Sequence, residues 1–197
     1  MAEARVLPFR PRPEKPKQLV SSGVAGMVLF VFTEVMVFTG FISAHVIVKS
    51  RAPGSVWPPP GQPRLPFEST AFNTTALLLS GVILLAAHLA YQKGAKIIEG
   101  RLALATILGG LFVALQGREW AALIGEGLTL TSSPYGAFFY VIVGAHALHA
   151  IGALAALVWA WLRLRDGSLT KERLSTVALF WYFVVLVWPV LYLQVYL

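Results

Sequence analysis

The chain has 197 residues, 57% hydrophobic and 13% charged, with a net charge of +7 and a mean hydropathy of +0.70. A charged fraction this far below that of a soluble domain excludes water as the main solvent. The absence of cysteine excludes disulfides, thiolate metal sites and iron–sulfur clusters.

Residues 1–18, MAEARVLPFRPRPEKPKQ, form a basic tail in which prolines 8, 11, 13 and 16 preclude a helix. The apolar run after it is too long for a cleavable signal peptide, and further spans follow. A membrane helix needs about 20 apolar residues, and five segments qualify. The first runs from about Leu19 to Val48 and carries Glu34 midway, in FVFTEVMVFTG. The segment from Lys49 to Glu68, with Trp57, Pro58, Pro59, Pro60 and Gly61, reads as a stiff extended loop. The second span runs from about Ser69 to Tyr91, with Asn73 near its head expected to bond backbone. The third, from about Arg101 to Leu123, ends in LQGREW, where Glu119 stands beside Arg118 as a solvated or ion-paired carboxylate. The fourth, from about Pro134 to Leu162, is rich in small residues (Gly144, Ala145, Ala147, Gly152, Ala153, Ala156) that let helix backbones approach. The fifth runs from about Leu174 to Leu197. Connections are short, so one all-α, five-helix bundle over residues 19–197 is expected, without a soluble domain.

Lysine and arginine set the orientation. The tail, the second-to-third loop and the fourth-to-fifth loop carry twelve of them, and the opposite side carries Lys49, Arg51, Arg64 and Arg118. The N-terminus is therefore expected in the cytoplasm and the C-terminus outside. Membrane topology thus accounts for the positive charge, and nucleic acid is not an expected partner. Trp57, Trp120, Tyr192 and Tyr196 fall near the predicted interfaces, where aromatic side chains act as anchors.

Few polar groups lie deep. A carboxylate at mid-membrane costs about 2–3 kcal/mol or more. Glu34 should therefore face the bundle interior, either as a proton- or lipid-headgroup-related site or as a glutamate bonded to a neighbouring helix. His146 and His149 share one helix face, as candidate metal or haem ligands or as imidazoles bonding across helices. At 1.5 Å of rise per residue, His149 lies roughly 1 Å from the midplane, His45 roughly 16 Å outward and His88 roughly 10 Å inward. A bis-histidine haem needs two ligands at one depth on facing helices, and no such pair exists. Glu34 and His149 do share a depth, so contact between them is expected. His45 and His88 read as interfacial polar residues. No phosphate loop, nucleophile with base, or pair of deep carboxylates is present, so catalysis by this chain alone is not expected.

Five motifs carry a family resemblance. GMVLFVFTEVMVFTGFISAH, WPPPG with LPFESTAFNTTALLLSG, LQGREW, YGAFFYVIVGAHALHAIGALAAL and FWYFVVLVWPVLYLQVYL resemble, in order, the motifs of subunit III of the haem-copper respiratory oxidases. They cover Gly23 to Leu197, in a short five-helix bacterial form. The resemblance implies a cofactor-free accessory subunit of a bacterial inner-membrane oxidase that passes electrons from cytochrome c to oxygen and pumps protons. It implies packing on subunit I, partnership with subunit II, haem and copper in those partners, bound phospholipid, and support by this subunit of proton uptake and turnover stability. By matching position, Glu34 falls on the family's carbodiimide-reactive glutamate, and Glu119, His146 and His149 on its other polar positions. Trp57, Asn73, Trp181 and Trp188 fall on structural motif positions. Many members have two further spans ahead of the first one here. The last helix has Tyr182 and Val185 where histidine and aspartate are common, which implies a lost polar pair. Competing readings are subunit III of a quinol oxidase, the accessory protein of nitric oxide reductase, a haem b membrane anchor, and a small transporter.

Overall fold

A computed structural model describes residues 21–52, 54, 56–95 and 97–196. The tail at 1–18, the expected start of the first span at Leu19 and Leu197 lie outside the described residues. Five helices occur in chain order: α1 Ser22–Ser50, α2 Phe67–Gln92, α3 Glu99–Gly125, α4 Pro134–Arg165 and α5 Lys171–Leu191. The last continues as a π-helical stretch, Tyr192–Tyr196. All five are long and apolar enough to cross a membrane. Their ends run past the apolar segments by up to three residues, because polar residues such as Lys49, Gln92 and Arg165 continue the helix into the headgroup zone. The loop after α1 is correspondingly shorter than expected, since Phe67 and Glu68 belong to α2.

Local chemistry explains the boundaries. Ser133 and Thr170 cap α4 and α5 by accepting from the Gly136 and Arg173 amides. α2, α3 and α4 all end on a left-handed glycine: Gly94, Gly127 and Gly167, with φ of 91°, 89° and 69°. The residue after each glycine bonds back five positions (Ala95 to Ala90, Leu128 to Leu123, Ser168 to Arg163), which satisfies helix carbonyls that would otherwise have no partner.

α5 is the centre of the bundle. It packs against α1, α2 and α4, while α2 pairs with α3 and α3 with α4. Half of the most apolar stretch of α5 is buried, against 6% for α1, which lies outside the others on α5 and α4.

Two tryptophans of α5 set the register. Trp181 Nε1 donates to Ser80 Oγ of α2 at 3.0 Å, and that hydroxyl donates to the Ala105 carbonyl of α3 at 2.7 Å. Trp188 Nε1 donates to Thr74 Oγ1 at 2.8 Å. The Trp181 ring fits only because α3 has glycine at 109: a Cβ there would lie 2.5 Å from two ring carbons. On α2, a Cβ at Gly81 would lie 2.8 Å from Val185.

The small residues of α4 do bring neighbours close, with Ala150 and Ala153 buried. Gly152, however, is exposed. Tyr196 is not an interfacial anchor: it is buried, and its hydroxyl accepts from Gln116 Nε2 at 2.9 Å.

Gly109→Ala should lower the stability of the solubilised bundle by about 1–3 kcal/mol, because an indole cannot bend away from the added methyl. Gly117→Ala, on the same helix with nothing within 4 Å of its Cβ position, should cost nothing. Thermal unfolding midpoints of the two variants check this, and equal midpoints would contradict it.

Candidate functional site

The deep carboxylate finds the expected partner. Glu34 Oε2 lies 3.2 Å from His149 Nε2, joining α1 to α4 at mid-span. The two side chains are 19% and 16% exposed, so the pair sits at the edge of the bundle rather than in its core. Phe30 and Phe38, one turn to either side of Glu34, close on the imidazole at ring distances of 6.1 and 5.7 Å. Phe180 and Phe183 of α5 complete an aromatic box at 6.3 and 5.6 Å.

The proton inventory of this pair is constrained. His149 Nδ1 lies 2.7 Å from the Ala145 carbonyl, which can only accept, so Nδ1 carries hydrogen. Nε2 then faces Glu34 with a lone pair or a second proton. An attractive contact requires one proton between the two groups, on the acid or on the imidazole.

His146 behaves differently from its neighbour. It is 1% exposed, and its ring lies between Trp188 at 5.0 Å and Phe38 at 6.3 Å. Neither ring nitrogen has a hydrogen-bond partner among the described residues, so it does not bond across helices as expected. His45 is also 1% exposed, against Trp57 and Phe138, and is therefore a core residue rather than an interfacial one. The half-buried Trp57 ring joins the loop to α4 through Tyr135 at 5.3 Å. The α4 pair does not fit haem ligation: His149 has both nitrogens engaged, and His146 is walled in by aromatic rings. No group of three possible metal ligands occurs among the described residues.

Glu119 is a hub, not a solvated surface acid. Its Oε1 accepts from Ser69 Oγ at 2.7 Å and Asn73 Nδ2 at 2.9 Å. Its Oε2 accepts from Thr70 Oγ1 at 2.8 Å and Gln116 Nε2 at 3.2 Å. Asn73 thus bonds a side chain across helices rather than local backbone. Ser69, Thr70 and Gln116 escaped sequence reasoning. Their signal is spacing: 69, 70 and 73 share one face of α2, and 116 precedes 119 by one turn.

Comparison with known proteins places these features in a family. The model of "Cytochrome c oxidase subunit III" matches residues 15–197. The chain belongs to the cytochrome c oxidase subunit III family. Cytochrome c oxidase subunit 3 of Pelomedusa subrufa is 35% identical over 180 residues, covering 87% of this chain and 67% of the relative. The Formosania lacustris protein of the same name is 38% identical over the same shares. A probable cytochrome c oxidase subunit 3 of Nocardia farcinica is 31% identical over 182 residues, covering 87% and 85%.

The polar pair expected to be lost on the last helix has a different outcome. Tyr182 keeps a polar contact, its hydroxyl lying 3.2 Å from His88 Nδ1, while His88 Nε2 lies 3.0 Å from Ser175 Oγ. His88 is thereby bonded within the α2–α5 seam rather than left at the interface. Val185 fills its own position by packing on Gly81.

Glu119→Ala should cost about 1–3 kcal/mol, because Asn73 and Gln116 lose an acceptor while Ser69 and Thr70 keep only the Pro66 carbonyl. Glu119→Gln should cost less, and Glu126→Ala, whose side chain makes no hydrogen bond or ion pair among the described residues, should be neutral. Chemical denaturation of the solubilised protein in the three variants tests the ranking.

Proposed function

We propose that this chain serves as subunit III of an aerobic terminal oxidase, an accessory subunit whose partner subunits hold the haem and copper and pass electrons from cytochrome c to oxygen. The observation that carries this reading is the family match across residues 15–197. The end carrying Lys93, Arg101, Arg163, Arg165, Lys171 and Arg173 is assigned to the cytoplasm by the positive-inside rule, in a bacterial inner membrane.

In this reading α1 is the working face. Leu29, Phe32, Val35 and Met36 are 46–67% exposed along it, a surface suited to lipid or to subunit I. Glu34 and His149 stand at its edge with one proton between them. They form a small proton-holding pair beside the surface that meets the catalytic subunit, which supports a role in proton uptake and turnover stability. His146, Glu119, Trp57, Asn73, Trp181 and Trp188 support that surface from behind by fixing the helices.

Affinity purification of the full chain from its native membrane tests the assignment. Subunits I and II should co-purify with haem absorbance and cytochrome c-driven oxygen consumption. A chain isolated alone with its own b-type Soret band would overturn it, and oxygen consumption driven only by quinol would move it to the quinol branch. Glu34→Gln should leave assembly intact but shorten activity lifetime or reduce retained phospholipid. A variant complex equal to wild type in both would refute the role given to Glu34.

A further inference from the structure

No further inference is drawn: the strongest candidate, the apolar groove between α2 and α5 lined by Leu78, Val82, Leu85, Tyr182 and Leu186, is an unpartnered face, and nothing in the structure shows what covers it.

Discussion

Two indole N–H groups on α5 hold this bundle in register. In a bilayer, apolar side chains gain little by leaving lipid for one another, so helix association rests on close packing and directed hydrogen bonds. An indole nitrogen in hydrocarbon has no water to bond, and must find an acceptor on a neighbouring helix. Trp181 finds Ser80, and Trp188 finds Thr74. The two residue numbers sum to 261 and 262, the near-constant sum of an antiparallel pair, so both bonds enforce one alignment of α2 on α5. Ser80 passes the constraint to α3 through the Ala105 carbonyl. Gly109 then lets α3 close over the Trp181 ring. On its other side Trp188 meets His146 of α4, and one turn further along α4 stands His149, facing Glu34.

The two carboxylates at the ends of this chain of contacts do different work. Glu119 accepts four donors from α2 and α3 and closes the seam opposite the basic end. Its partners are short side chains on regular helix, so the arrangement is rigid. Glu34 has one partner, 3.2 Å away, inside a ring of four phenylalanines. Phenylalanine offers no competing donor or acceptor, which leaves the shared proton as the only adjustable element at that depth. A rigid, fully bonded acid suits architecture, and a singly bonded acid at the bundle edge suits exchange with something outside the chain.

Much of this arrangement could be read before any coordinates. Hydropathy located five spans, and rise per residue placed Glu34 level with His149. Depth, however, is only one coordinate, and the misreadings share one cause: position along a helix does not reveal which way a side chain faces. Glu119 and His45 lie at the depth of the interface yet turn inward. Tyr196 has the composition of an anchor and the packing of a core residue. Tyr182, expected to mark a lost polar position, reaches His88 on the facing helix. Spacing held part of the missing information. Glycines 94, 127 and 167 mark helix ends by their place just after each apolar run, and 69, 70 and 73 form a polar stripe. That the stripe meets Glu119 depends on the pairing of α2 with α3, which one sequence does not encode locally.

The energetics of α1 argue that Glu34 is kept for use. An ionisable side chain at mid-membrane costs about 2.5–3.5 kcal/mol on insertion scales. A hydrogen bond between membrane helices returns on the order of 0.6 kcal/mol, and about 1.7 at best. The His149 contact therefore leaves a deficit of about 1–3 kcal/mol that an apolar residue at 34 would not carry. Burial does not make it up, because only 6% of the apolar stretch of α1 is enclosed by this chain. α1 is thus the helix least able to tolerate a polar residue on packing grounds, and it carries a carboxylate at mid-span. A structural need would have placed that acid where α5 could surround it with donors, as α2 and α3 surround Glu119. Its position at the rim, with an exposed apolar face around it, fits a group that answers to a neighbour beyond the bundle.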